Sequence, residues 1–287
     1  MHIRNPVEWG LDQFRHAGAA IDTMGRTGLG ARDAATEVPT VRSIGVADLG
    51  YALGKGFADF GAFRTDVIFL ALIYPVVGLV LARLAFGYDM LPLLFPLASG
   101  FALIGPIAAI GLYEMSRRRE QGAEARWADA LGITQSPSFP SIAILGALLV
   151  AIYLLWLGTA ATIYNVTLGP EPPISLSGFL RDVFTTGAGW TMIGIGIGVG
   201  FLFAALVFAI SVVSFPVLLD RRVGVETAIR TSLRAVAANP GPMAMWALII
   251  AAGLVIGSIP FLLGLIIIMP VLGHATWHLY RRVVASD

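Results

Sequence analysis

The chain has 287 residues, of which 57% are hydrophobic and only 13% are charged, and its formal net charge is +1. Charged residues make up about a quarter of an ordinary soluble domain, so this composition excludes a water-soluble globular enzyme and indicates a polytopic membrane protein. A disordered chain is excluded because it would need low hydrophobicity and high net charge. The small net charge gives no overall attraction for nucleic acid. The chain has no cysteine, which excludes disulfides, thiolate metal sites and a cysteine nucleophile.

Residues 1–45 are predicted to form a flexible N-terminal arm in the cytoplasm. They mix glycine, alanine, threonine, arginine and aspartate. Charged residues are spread through the first 30 positions, with no apolar segment between them, so we expect no signal peptide.

Residues 46–287 are predicted to form an all-α membrane domain with six transmembrane helices. No Asp, Glu, Lys or Arg occurs between Asp182 and Asp220, or between Arg234 and Arg281, and uncharged apolar runs of about 18 or more residues are typical of membrane spans. The second run is too long for one span, and we divide it at Gly257–Pro260, because glycine and proline break helices. The predicted spans cover approximately residues 67–86, 91–113, 142–164, 190–217, 241–257 and 261–280.

The basic residues predict the orientation of these spans. With six spans and both termini in the cytoplasm, seventeen of the nineteen basic residues lie on the cytoplasmic side, and only Arg83 and Arg181 lie outside. This bias is what the positive-inside rule predicts. A five-span chain would place Arg281 and Arg282 outside, so we expect six.

An internal repeat relates the two ends of the membrane domain. At a constant offset of 164 residues, prolines, a glycine and paired arginines of residues 95–118 match those of 259–282, with Arg117 and Arg118 on Arg281 and Arg282. Each copy follows an amphipathic segment, with its predicted apolar face at Val46, Leu49, Leu53, Phe57 and Phe60 in the first copy and at Val225, Ile229, Leu233 and Val236 in the second. We expect both amphipathic helices to lie at the cytoplasmic face, either capping the bundle or binding lipid or a partner.

Three sequence strings carry a resemblance to a known family: Gly111-Leu-Tyr-Glu-Met-Ser-Arg-Arg118, Phe215-Pro-Val-Leu-Leu-Asp-Arg221 and Pro270-Val-Leu-Gly-His-Ala-Thr-Trp-His-Leu-Tyr-Arg-Arg282. The chain resembles, over residues of about 46 to 282, the bacterial integral-membrane family of unknown function DUF2189. Some members carry the label of cytochrome c oxidase subunits. The resemblance implies a bacterial inner-membrane protein, with respiratory-complex subunits as one expected partner, and it assigns no catalytic residue.

Glu114, His274 and His278 form the candidate polar cluster. The two histidines are four residues apart, so they lie on one face of the sixth span, and the repeat places His278 opposite Glu114. Ionisable groups inside a membrane are functional candidates, and paired imidazoles can share a metal; the cluster is therefore a hypothetical proton relay or metal site. The alternative is that His278 and Glu114 anchor the bundle at the headgroup level, beside the interfacial arginines 117, 118, 281 and 282, while His274 bonds a neighbouring helix.

Four alternating glycines lie in the fourth span: Gly194, Gly196, Gly198 and Gly200. They lack the Lys-Ser/Thr ending of a phosphate loop and the preceding strand of a dinucleotide site. The spacing instead gives two overlapping small-xxx-small pairs, which allow close packing of helices.

The sequence contains no enzyme motif and implies no cofactor. We therefore expect first a non-catalytic structural or accessory protein of the inner membrane. A small-molecule or lipid transporter built on the repeat is the alternative, since prolines such as Pro106 and Pro270 interrupt its spans. A metal- or haem-dependent enzyme using His274 and His278 is the third hypothesis.

Overall fold

A computed structural model describes residues 38–71, 83, 91–123, 136–171, 173, 175–260 and 262–285, and for residues 64–71, 101, 102 and 104 it describes the backbone alone. The described part of the chain is all-α, as predicted, and contains ten α-helices. Their bounds are α1 Val46–Ala71, α2 Leu94–Ala108, α3 Ile110–Glu120, α4 Phe139–Thr167, α5 Leu176–Thr185, α6 Gly187–Ser211, α7 Ser214–Asp220, α8 Val225–Ala238, α9 Pro240–Ser258 and α10 Leu265–Val283. A 3-10 turn, Leu91–Leu93, precedes α2.

Among the described residues, three helical segments are long and apolar enough to cross a membrane: Phe139–Thr167, Gly187–Asp220 and Pro240–Ser258. They coincide with the predicted third, fourth and fifth spans. The second of them consists of α6 and α7, which follow each other through Val212 and Val213.

The other three predicted spans are not shown as such. The first, 67–86, lies mostly outside the described residues. The second is divided at Ala109 into α2, which contains Pro106, and α3. The sixth corresponds to α10, which is 19 residues long but carries two histidines and ends in two arginines. The break predicted at Gly257–Pro260 is confirmed, because α9 ends at Ser258 and α10 begins at Leu265.

One end of the molecule holds the arginines in the last turns of α3 and α10, and we call it the arginine-rich end. Helix α10 is its central helix. Between Pro270 and Tyr280 every residue except His278 is buried. Helix α1 packs antiparallel along it, with Asp48 next to Arg282 and Gly56 against Ala275. Helices α3 and α7 pack on its other sides.

The amphipathic segments form helices, but the predicted apolar faces are only partly the buried ones. In α1 the buried row is Leu49, Ala52, Gly56 and Asp59, while Val46 and Phe57 are exposed. The cause is that α10 approaches α1 closely, so small side chains occupy the contact. Helix α1 also continues to Ala71 and enters the predicted first span without a break, so it is not a separate surface helix.

Helix α8 departs from the prediction in a similar way. It buries Ala228, Thr231, Ser232 and Ala235 against the bundle, and Leu233 of the predicted apolar face is exposed. Ser232 Oγ donates a hydrogen bond to the carbonyl oxygen of Ala209 in α6 and accepts one from the Val213 amide. Polar contacts of this kind replace a purely apolar packing face.

The end of the predicted N-terminal arm is bound to the fold. Val41 forms an antiparallel bridge with Val284, and the Arg42 amide donates to the carbonyl oxygen of Val283 over 2.7 Å. The buried Asn239 side chain accepts from the Ile44 amide and donates to the Arg42 carbonyl. Residues 40–44 of the predicted arm therefore contact the fold, and residues 1–37 lie outside the described part.

Candidate functional site

The candidate site lies where α1, α3 and α10 meet. Glycines permit the close approach of these helices: a Cβ atom at Gly56 would lie 2.6 Å from the Val271 carbonyl oxygen, and one at Gly273 would lie 2.5 Å from Leu112 Cδ1. The approach places His274 and His278, one turn apart on α10, against polar side chains of the other two helices.

Four side chains form a continuous hydrogen-bonded chain, which we call the His–Ser–Asp–His chain: His274, Ser116, Asp59 and His278. Ser116 Oγ lies 2.8 Å from His274 Nδ1 and 2.6 Å from Asp59 Oδ2. His278 Nε2 lies 2.8 Å from the same Asp59 oxygen. His274 and Ser116 are fully buried, and Asp59 is 4% exposed.

The donors in this chain follow from its chemistry. An ionised carboxylate only accepts hydrogen bonds, so the Ser116 hydroxyl and the Nε2–H of His278 both donate to Asp59. The single hydroxyl proton of Ser116 is then used, and Ser116 Oγ accepts from Nδ1–H of His274. Nε2 of His274 is thereby the unprotonated ring nitrogen; it is buried and has no hydrogen-bond partner among the described residues.

Asp59 is the acceptor on which this network converges. Its other oxygen, Oδ1, accepts from Arg119 Nη1 over 2.6 Å. Burial alone raises the pKa of Asp59, but the hydrogen bonds from His278 and Ser116 outweigh burial and hold the pKa below its ordinary value of 3.8. Asp59 is therefore a carboxylate at neutral pH.

Glu114 has different partners from those of the two histidines. Its carboxylate binds Arg117 Nε over 2.7 Å and Arg118 Nε over 2.8 Å, both on its own helix α3. The structure thus brings two members of the candidate polar cluster, His274 and His278, into one hydrogen-bonded network, whose acid is Asp59. The third member, Glu114, instead forms ion pairs with Arg117 and Arg118.

The arginines of α10 also bind acids from other elements. Arg281 contacts Glu120 of α3 and Asp220 of α7, each over 3.1 Å. Arg282 Nη2 lies 2.6 Å from Asp48 at the start of α1. Aromatic neighbours join the same pairs: Trp277 Nε1 donates to Glu120, and the Tyr280 hydroxyl donates to Asp220 over 2.6 Å. Three helices and α10 are therefore joined at this end by charge-assisted hydrogen bonds.

The arrangement differs from a Ser–His–Asp catalytic triad. In a triad the histidine stands between the serine and the acid, so that it can remove the hydroxyl proton. Here the serine stands between the acid and His274, and Ser116 is fully buried. Within the described ranges no group of three or more His, Asp or Glu side chains is placed to hold a metal ion. What the chain of groups can do is hold helices together and pass protons between its members.

Asp59, Ser116 and Arg119 were not among the predicted site residues. The sequence nevertheless contains a pattern that could have indicated Asp59. Ala52, Gly56 and Asp59 are spaced 4 and 3 residues apart, so that an acid continues a line of small residues typical of helix packing. Ser116 and Arg119 are three residues apart on the short helix α3, which also carries Glu114.

The four alternating glycines of the predicted fourth span, which were expected to allow close helix packing, make few contacts with other described residues. A Cβ atom at Gly194, Gly196 or Gly198 would meet no described atom within 4 Å, whereas one at Gly200 would lie 3.1 Å from the Trp156 ring. Of these four glycines, only Gly200 therefore packs closely against another described residue.

Comparison with known proteins identifies one family. Residues 94–220, somewhat less than half of the chain, match the family described as predicted integral membrane protein, DUF2189. No curated protein and no solved structure matches the chain. The matched range holds Ser116, Glu114 and the first two candidate spans, and the apolar helices described above fit the family description. Over residues 94–220, this chain is similar to the DUF2189 family of predicted integral membrane proteins.

Proposed function

We propose that this protein is a non-catalytic structural or accessory component of the bacterial inner membrane, which crosses it six times with both termini in the cytoplasm. One observation carries the proposal: the ionisable side chains around α10 are used to fasten helices to one another. Asp59, Glu120 and Asp220 each receive charge-assisted hydrogen bonds from other elements. A site for reacting a substrate needs some of these groups to be open to it.

The arginine-rich end also binds the first and last described segments of the chain. Arg221 donates from Nη2 to the Ala285 carbonyl oxygen, and the Ala285 amide donates to the Thr40 carbonyl oxygen over 2.9 Å. The first and last described residues are thus held at the same end as α7 and α10. Such an arrangement suits a compact scaffold for assembly with other membrane subunits, and respiratory-complex subunits are the partners that the family resemblance implies.

Affinity purification of the full-length chain from native membranes in mild detergent, followed by mass spectrometry and metal analysis, tests this role. We expect a stoichiometric protein partner and a colourless preparation without bound metal. A preparation without any stoichiometric partner would overturn the accessory role. One metal or haem per chain would overturn it in favour of the enzyme hypothesis based on His274 and His278.

The His–Ser–Asp–His chain supports a second candidate function, proton-coupled transport of a small molecule or lipid. A proton accepted at His274 Nε2 can leave from Nδ1 to Ser116 while the Ser116 proton passes to Asp59, because each step follows an existing hydrogen bond of 2.6 to 2.8 Å. The His278 side chain, which is 12% exposed, lies next in the chain of hydrogen bonds, because its Nε2 contacts Asp59 Oδ2 over 2.8 Å.

Proton flux into proteoliposomes under an imposed membrane potential tests this candidate. We expect flux above that of protein-free vesicles, a marked loss in S116A, and normal flux in S211A. Ser211 is a matched control, because it is also buried but donates only along its own helix, to the Val207 carbonyl. Equal flux in wild type and S116A would exclude the relay.

A further inference from the structure

Helix α5, Leu176–Thr185, lies across the ends of two membrane-spanning helices. Phe179 packs edge-on against Tyr164, three residues before α4 ends, with 6.4 Å between ring centroids. A Cβ atom at Gly189, the third residue of α6, would collide with the carbonyl oxygens of Asp182 and Val183. Both flanking candidate spans therefore hold α5 at one level, at the end of α6 remote from the arginine-rich cluster.

The connection to α6 prevents α5 from continuing into the span. Only Thr186 separates the two helices, and its backbone is extended (φ −106°, ψ 153°). The Thr186 hydroxyl donates to the Asp182 carbonyl oxygen and accepts from the Gly189 amide, so it ends one helix and caps the next. The chain consequently turns sharply at this residue.

The surface of α5 is divided into three strips. Phe179 and Val183 face the protein, and Val183 is 6% exposed. Leu176, Leu180 and Phe184, spaced by four residues, form an adjacent strip that is 42–57% exposed. Ser177, Arg181, Asp182 and Thr185 form the exposed polar strip on the remaining side.

We propose that α5 is an in-plane membrane helix whose Leu176, Leu180 and Phe184 strip binds the lipid of the leaflet opposite the arginine-rich end. The three strips have the order expected at a boundary between protein, lipid and water. Trp190, 59% exposed in the first turn of α6, donates its indole N–H to the Phe184 carbonyl oxygen over 3.1 Å and extends the apolar strip into the span. Tryptophan is enriched at this depth of a bilayer, because its ring is apolar with one polar group.

Lipid, rather than a second protein, is the occupant that the geometry favours. The strip is continuous with α6, whose Ile195, Phe201 and Leu202 are exposed along a candidate span. Lipid covers such a span in a membrane, and the contacts of Phe179 with Tyr164 and of Val183 with Gly189 hold α5 at the level where the spans end. Exposed apolar side chains held at this level contact the interface of the bilayer, and no second protein is needed to cover them.

The absence of cysteine makes a direct test possible with single-cysteine variants. Full-length L180C and R181C, each with a nitroxide label, are reconstituted in phosphatidylethanolamine–phosphatidylglycerol vesicles. Collision rates with oxygen, which partitions into lipid, and with a water-soluble nickel chelate are compared. We expect oxygen to dominate at residue 180 and the nickel chelate to dominate at residue 181. L176C and T185C form a second pair, in case a label at residue 180 prevents folding.

Two results would overturn the proposal. The same order of collision rates at residues 180 and 181 would show that α5 does not lie at a lipid–water boundary. Protection of residue 180 from both agents would show that protein, either a second copy of this chain or another subunit, covers the strip.

Discussion

Asp59 is a buried acid whose three hydrogen-bond donors all come from helices other than its own. It accepts hydrogen bonds from Ser116, His278 and Arg119, which come from two other helices. A single substitution at this residue therefore affects α1, α3 and α10 together, which makes Asp59 the most informative position in the site.

We expect D59N to destabilise the protein by about 1.5–3 kcal/mol, the range for buried hydrogen bonds to charged groups. The amide keeps the shape of the side chain but removes the charge that Arg119 and His278 contact. Thermal unfolding in a non-ionic detergent measures the effect. E226Q is the control, because the Glu226–Arg230 pair is exposed on both side chains, and such pairs contribute at most about 1 kcal/mol. Equal losses in the two variants would contradict the structural role of Asp59.

The same carboxylate predicts a pH dependence. Because the pKa of Asp59 is lower in the folded protein than its ordinary value of 3.8, the ionised group stabilises the fold at pH values above 3.8. That stabilisation is lost as the pH falls through the lowered pKa. The deficit of D59N relative to wild type should therefore be constant near neutral pH and shrink below pH 3.8. Unfolding curves measured from neutral to acidic pH check this, and a deficit that is unchanged in acid would show that Asp59 does not act through its charge.

At the scale of the helices, the contact between α1 and α10 depends on one glycine. A Cβ atom at Gly56 would lie 2.6 Å from the Val271 carbonyl oxygen and 2.7 Å from Ala275 Cβ, whereas one at Gly54, half a turn earlier, would meet nothing within 4 Å. The two positions therefore form a matched pair on a single helix.

We expect G56A to destabilise the protein and G54A not to destabilise it. G56A forces α1 away from α10 and should cost about 1–3 kcal/mol, as overpacking does. G54A should be neutral or stabilise by up to about 1 kcal/mol, since alanine loses less backbone entropy in a helix than glycine. Thermal unfolding of both variants measures the difference, and a G56A protein as stable as G54A would show that the two helices do not approach as described.

Asn239, between α8 and α9, fixes the segment that precedes α1. Its side chain accepts from the Ile44 amide over 2.8 Å and donates to the carbonyl oxygens of Arg42 and Ala235 over 3.1 Å. We expect N239A to lose about 1–3 kcal/mol of local stability and to accelerate tryptic cleavage after the exposed Arg42 by about 5- to 150-fold. N165A is the control, because Asn165 lies exposed near the end of α4. Equal cleavage rates in the two variants would contradict the proposed fastening.

The sequence could predict those elements that depend on local composition. Helices α4 and α9 fall within about three residues of the predicted spans, because an uncharged apolar run and a Gly–Pro break are properties of adjacent residues. The buried face of α1 could not be predicted in this way, since α10 selects it. Periodicity favours large apolar residues such as Phe57, but the close contact buries Ala52 and Gly56 instead.

The candidate site was predictable only in part for the same reason. The spacing of His274 and His278 places them on one face of a helix wherever that helix packs. The repeat relates Glu114 to His278 by position in the sequence, which gives no distance between side chains. Asp59 is distant in sequence from both histidines, and in an amphipathic segment an isolated acid is normally on the solvent side.

At the scale of the whole molecule, the two ends of the bundle differ in the number of charged side chains and in the ion pairs that these side chains form. The arginine-rich end binds Asp48, Asp59, Glu120 and Asp220 in cross-helix pairs. The opposite end carries Arg181 on α5 as its exposed cation among the described residues of α4 to α6. Between them, α4, α6 and α9 expose apolar side chains such as Leu155, Phe201 and Leu248. This distribution suits a bilayer between the two ends, with the basic end in the cytoplasm.

Impermeant maleimide labelling of single-cysteine variants in intact cells tests the orientation and the six spans. We expect S177C and S258C to react from outside, and Q121C and R222C to react only after the membrane is permeabilised. These four exposed positions lie on alternate sides of the three candidate spans. The first predicted hairpin is tested by G87C, which we expect to react from outside, because the positive-inside rule predicts a cytoplasmic position for the preceding basic segment.

Each departure from this pattern has a separate meaning. Reaction of Q121C and S177C from the same side would remove Phe139–Thr167 from the set of spans. Complete inversion would keep the helices but reject the cytoplasmic position of the arginine-rich end. Protection of G87C would leave residues 67–86 on the inner side. In that case α1 would lie in the plane of the membrane along its whole length. Asp59 would then belong to a helix on the membrane surface rather than to one that continues into a membrane span.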